Sequence, residues 1–149
     1  MSSNESTKQQ ATGNQEEQAT TPVAEMTPTE VESEGEKLTR LYLQRRGYVV
    51  GDDGFACEEG SVPVVASDDS EGEVVLVDVR THVRLGEESY MPELAVDVEG
   101  QESYRRLAMR YLFAHPECKK ARVDVISIAI VGERCARLRH LIGAYSWEE

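Results

Sequence analysis

Leu38, Leu41 and Tyr42 recur at i, i+3 and i+4, the stripe of an amphipathic helix. Ser33 and Glu36 stand at capping-box spacing before it, and Gly47 follows as a stop, so a first helix is predicted over 34–46. Short apolar runs come next: Tyr48–Val50, a weak Phe55–Cys57, and Val62–Ala66 with Pro63 demanding an edge or bulge. Beyond a turn at 68–72, Val74–Val79 is almost continuously apolar, as in a strand covered on both faces. The segment 82–100 reads as irregular, with a helical turn near 92–96. Tyr104, Leu107, Ala108, Tyr111 and Leu112 mark a second amphipathic helix over 101–114, closed by Pro116. Val123–Val131 and Arg134–His140 read as two further strands. The order α-β-β-β-α-β-β predicts an α/β domain, a mixed sheet flanked by helices.

Composition adds an N-terminal arm. Residues 1–33 are Ser, Thr, Gln, Glu, Asn and Pro with few large apolar side chains, too little to offset the entropy of ordering, so a disordered acidic arm is expected before a domain over 34–149. The 149-residue chain carries a net charge of −12, which on its face opposes nucleic-acid binding. The charge is unevenly placed. It is −6 over 1–35, +3 over 36–50, −12 over 51–99 and +3 over 100–149, so both helices are basic. Lys37, Arg40, Arg45, Arg105, Arg106 and Arg110 are the candidate phosphate contacts. No apolar run reaches the ~20 residues of a membrane span, and no signal-peptide core is present, so no membrane partner is expected. Cys57, Cys118 and Cys135 are widely spaced and odd in number, which fits unpaired thiols in a reducing cytoplasm. His82, His115 and His140 make no ligand spacing with them.

Several phrases carry a resemblance. They are Gly35-Glu36 opening a helix that ends in Tyr42-Leu43 and Gly47-Tyr48; Gly60 through Ala66; Val77-Asp78-Val79-Arg80; Ala108 with Tyr111-Leu112; Arg122-Val123-Asp124-Val125-Ile126; and Leu138-Arg139-His140-Leu141-Ile142 with Ala144-Tyr145. In this order the chain resembles the YraN family of small bacterial proteins over residues 34–147. The resemblance implies a restriction-endonuclease-like fold of the PD-(D/E)xK type, related to Holliday-junction resolvases. In such a site two carboxylates hold Mg²⁺ beside the scissile phosphate, and a Lys two residues along the strand serves the attacking water. Here Glu36 matches the helix Glu, Asp78 replaces the strand Glu, and Arg80 replaces the Lys. Pro63 stands where the family has its strand Asp, Ser61 where it has the preceding Glu, and Ser103 where it has a basic residue. Pro63 offers no ligand atom, and a guanidinium with a pKa above ~12 cannot act as a base. Glu36 and Asp78 are the metal ligands if a metal is bound; Glu58, Glu59, Asp68 or Asp69 would have to supply a substitute.

The resemblance thus implies an endonuclease-like protein that has lost metal-dependent cleavage, needs no cofactor, and keeps a nucleic-acid-binding or scaffold role, with branched or structured DNA as partner. Two alternatives stand beside it. One is an active Mg²⁺-dependent endonuclease with a rearranged site. The other is a protein-interaction module whose acidic stretch 51–99 meets a basic partner. Plainer roles suit the same residues: Glu36 as a cap or a partner of Arg40, Asp78 and Arg80 as an ion pair, Asp124 as a sheet-end polar residue, and the helix cations as solvated surface.

Overall fold

The computed structural model describes residues 21–91 and 94–148. Two helices and seven strands follow a short 3-10 turn at Val23–Glu25: α1 (Pro28–Arg45), β1 (Val49–Val50), β2 (Phe55–Cys57), β3 (Gly60–Val62), β4 (Val64–Asp68), β5 (Glu73–Val83), α2 (Val98–Ala114), β6 (Lys120–Gly132) and β7 (Cys135–Glu148). Five strands form one mixed sheet in the order β1-β4-β5-β6-β7, while β2 and β3 make a separate hairpin. Only β5 and β6 run parallel, and α2 is the crossover between them, as a parallel connection requires.

The sheet has two apolar faces because its central strands are buried throughout. Val75 and Val77 of β5 and Ile126 and Ile128 of β6 pack with Leu43 of α1. Leu76 of β5 and Val123 and Val125 of β6 pack with Tyr104, Leu107 and Ala108 of α2. Period-two alternation therefore sets α1 and α2 on opposite faces. The approach of α1 is closest at Gly35: a Cβ there would overlap the hydroxyl and Cβ of Thr81 on β5. A residue without a side chain is needed where helix and strand meet so tightly.

Several boundaries differ from expectation. The expected strand Val62–Ala66 breaks at Pro63, which divides it between β3 of the hairpin and β4 of the main sheet, and β5 runs on to Val83 into the segment expected to be irregular. The first helix begins at Pro28, not 34, because Thr27 and Glu30 form the capping box and Pro28 fills the first turn. Ser33 and Glu36 lie inside the helix. Residues 22–33, expected to belong to the arm, are thus part of the fold, with Val23 buried in the core; residues 1–20 of that arm lie outside the described residues. The second helix starts at Val98 on an Asp97 cap. Leu94–Asp97 are not helical; Pro92 and Glu93 of the expected turn lie outside the described residues. The last strand runs on to Glu148, since Gly143, at φ 72°, sits where the register with β6 shifts between Val123 and Val125 and lets pairing resume. The three cysteines are half-buried free thiols. Among the described residues no helix is long and apolar enough to cross a membrane.

Candidate active site and a buried ionic network

Gly35 fixes where Glu36 goes. With Glu32 one turn earlier, Glu36 lines a cleft of about 250 Å³ whose other walls are Ser61, Val62, Pro63, Val79 and Thr81. The structure thus brings Glu36 and Pro63 together, on the α1 side of β5. Asp78 and Arg80 alternate with Val79 and Thr81 and face α2 instead. There the Tyr104 hydroxyl donates to Asp78 Oδ2 at 2.5 Å and accepts from Arg80 Nη2 at 3.2 Å. Arg80 Nε lies 3.9 Å from the same carboxylate oxygen. Burial, then the hydrogen bond to Asp78, push the Tyr104 phenol up to about 12. The ion pair expected between Asp78 and Arg80 is therefore a three-residue cluster, and sequence reasoning missed its third member.

These residues do not fit a divalent cation. Pro63 has no donor atom on its side chain, and the Asp78 oxygen nearest the α2 face is already occupied by a phenol and shadowed by a guanidinium. Among the described residues no three Asp, Glu, His or Cys side chains come close enough to hold a metal. Three of the four suggested substitutes are engaged elsewhere: Glu58 and Glu59 accept from Arg110 at 3.1 and 2.8 Å, and Asp68 accepts from Ser70 at 2.7 Å; Asp69 is exposed in the turn before β5.

The six candidate phosphate contacts do not converge. Lys37, Arg40 and Arg45 lie on α1 and Arg105, Arg106 and Arg110 on α2, so the sheet separates them. Arg40 donates to the carbonyls of Gly51, Asp52 and Pro63. Arg105 and Arg106 both bind Glu102. Arg110 clamps the β2–β3 hairpin through Glu58 and Glu59. Lys37 and Arg45 remain exposed.

A second constellation lies on the α1 face. Asp124 is fully buried rather than a sheet-end residue. Its carboxylate accepts from Arg122 Nε at 2.8 Å, His140 Nε2 at 2.7 Å and the Gly143 amide at 2.9 Å. Arg122 also donates to Tyr48 at 2.7 Å and to Glu73 at 3.3 Å. The Tyr42 hydroxyl meets His140 Nδ1 at 2.9 Å. Burial pushes the Asp124 carboxyl up, but the His140, Arg122 and Gly143 hydrogen bonds outweigh it and hold it below the usual 3.8. Burial likewise works against the Arg122 charge, yet the bonds and charge of Asp124 raise its affinity for the proton on balance. A carboxylate set inside the apolar run 123–131, two residues after an Arg, is the sequence signal for such a network.

Residues 35–128 match the model of the uncharacterised protein family UPF0102. The chain belongs to UPF0102. This is the YraN family that the sequence phrases indicate. Among its curated relatives, a UPF0102 protein of Geobacter sulfurreducens is 33% identical over 74% of this chain and 84% of its own length. Another, from Thermodesulfovibrio yellowstonii, is 31% identical over 69% of this chain and 88% of its own. The UPF0102 match contains Glu36, Asp78, Arg80, Arg122 and Asp124, whereas His140 and Gly143 of the Asp124 network lie beyond it.

Proposed function

We infer that this chain is a non-cleaving member of a nuclease-like family, acting as a binding scaffold. One observation carries the inference: Glu36 and Pro63 share a cleft on one side of β5 while Asp78 and Arg80 face the other side, closed by Tyr104. The carboxylate pair that would clamp Mg²⁺ beside a phosphate is thereby divided. Duplex DNA is not the favoured partner of the scaffold, because half the candidate cations carry carboxylate partners and the set spans two faces. The acidic stretch 51–99 is also partly consumed within the fold, by Arg110, Arg122, Tyr104 and the α2 cap.

The test is calorimetric titration of Mg²⁺ and Mn²⁺ into the wild type and into Pro63→Asp/Arg80→Lys, beside cleavage assays on duplex, single-stranded and branched DNA. We expect no heat of metal binding and no nicking from the wild type. Metal-dependent nicking that Asp78→Ala abolishes would overturn the reading.

A further inference from the structure

Between α1 and β7 runs an apolar groove. One part, about 330 Å³, is lined by Leu38, Leu41, Tyr42, Ala136 and Leu138. Leu38 and Ala136 also border a second cavity of about 450 Å³, whose walls add Lys37 and Arg134 beside Glu34 and Glu133. Leu41 is 42% exposed. The groove follows a strand edge that is free among the described residues, where β7 ends the five-stranded sheet and pairs only with β6. Such an edge presents unpaired N–H and C=O groups. Its surroundings carry mainly positive charge. Arg45 and Arg46 line the groove from α1. Arg137 and Arg139 alternate with Leu138 and so project from the other face of the same strand. Arg137 engages a backbone carbonyl, that of Glu88, and Arg139 has no hydrogen-bond or ion-pair partner among the described residues.

We propose that the β7 edge over residues 135–140 is the docking site for an acidic peptide segment of another protein, added as an extended sixth strand. Backbone groups of β7 pair with the peptide. Its apolar side chains enter the groove on one face, and its Asp or Glu side chains, alternating with them, meet Arg137 and Arg139 on the other. This deepens the scaffold reading by naming the partner's chemistry, and it rests on that reading only for the biological use of the contact.

Other occupants fit less well. Charged residues on an edge strand guard against aggregation, but a guard needs neither an apolar groove nor arginines from a second element. A second copy paired through β7 would set Arg137 and Arg139 near their own counterparts. Thr21 lies beside the second cavity, yet the sequence of residues 1–20 has Met1 as its one large apolar side chain. A phosphate backbone would use neither the groove nor the strand amides.

The test is fluorescence anisotropy of a labelled octapeptide of alternating Val and Glu, titrated with the full chain. We expect saturable binding, weakened at least about 10-fold by Arg137→Glu/Arg139→Glu and abolished when alternate peptide amides are N-methylated. Leu41→Glu, on the exposed groove wall, should weaken binding without touching β7. An alternating Val–Lys peptide binding equally well would overturn the proposal, as would indifference to the charge reversal and to Leu41→Glu. Self-association relieved by Arg137→Glu/Arg139→Glu would assign the edge to a second copy. Tighter peptide binding in Glu16→Lys/Glu17→Lys would assign it to the chain's own N-terminus, and complete displacement of the peptide by duplex DNA would assign it to nucleic acid. Because no cleavage is measured, its failure is distinct from failure of the non-cleaving reading.

Discussion

Adjacent parallel strands carry the same two residue types in opposite order. On β5 the pair is Asp78-Val79-Arg80; on β6 it is Arg122-Val123-Asp124. Their fates differ because the faces beneath them differ. Asp78 and Arg80 face α2, with side chains 30% and 37% exposed, and share one phenol. Asp124 and Arg122 face α1, with side chains 0% and 8% exposed, and are held by His140, Gly143, Tyr48 and Glu73. A dry ion pair must be paired and bonded almost completely, whereas a half-wet one can rely on water. Chemistry that needs a free carboxylate is therefore compatible with the first pair and incompatible with the second, yet the first has had its carboxylate capped.

The comparison breaks most readily at Asp124. Asp124→Ala leaves Arg122 buried without its main counter-charge and His140 without an acceptor, and should cost about 3–5 kcal/mol in urea unfolding. A loss under about 1 kcal/mol would mean that the network is no more structural than the Asp78 cluster. Gly35→Ala ranks next. The new methyl gains helix propensity worth about 1 kcal/mol, but it overlaps the Thr81 hydroxyl and meets the Thr81 Cβ at 2.9 Å, a contact that turning the side chain does not relieve. A net loss of about 1–3 kcal/mol is expected from the displaced backbone, read in the same unfolding experiment.

Acid sharpens the contrast. The folded Asp124 carboxyl titrates below its unfolded value near 3.8. Its contribution to stability is complete above that value and is lost as pH falls through the lower folded one. The stability gap between wild type and Asp124→Asn should therefore hold steady above about pH 5 and shrink below about pH 4. A gap independent of pH would show that the carboxylate charge contributes nothing.

Much of this fold is legible in periodicity, because the β5 and β6 runs and the α2 stripe are local signals. What escaped was decided elsewhere. The chain carries two capping boxes six residues apart, Thr27/Glu30 and Ser33/Glu36, and the earlier one caps the helix, with Pro28 in its first turn and Val31 half-buried on the inner face. The first turns of the helix looked like arm because their exposed positions are Pro28, Thr29, Glu30, Glu32 and Ser33. The strand after Gly143 was hidden by the glycine that makes its bulge possible. The candidate site was legible residue by residue from family phrases, including the absent ligand at Pro63. That Asp78 and Arg80 share one face was legible from alternation, but not which helix covers that face, because a run apolar on both sides does not say where each helix packs. Of the Asp124 network only the Arg122–Asp124 pair left a local signal; its other members did not, since Tyr48 and His140 lie 74 and 16 positions from the residues they hold.

The smallest effect should come from Asp78→Asn. Asp78 and Arg80 are each about a third exposed, so water replaces much of what is lost, and the new amide oxygen still accepts from the buried Tyr104 hydroxyl, so the stability change should stay within about 1 kcal/mol. The informative reading is the Tyr104 phenol, followed by the ring-carbon shift of labelled tyrosine as pH rises. In the wild type Tyr104 resists ionisation until about 12. Burial, the larger cause, survives the substitution; the Asp78 charge and its hydrogen bond to an ionised acceptor do not. Tyr104 in Asp78→Asn should therefore titrate between 10 and the wild-type value. If it did not move at all, the phenol would not be bound to Asp78, the carboxylate would be open to a cation, and the distinction between the capped pair on β5 and a working metal ligand would fail.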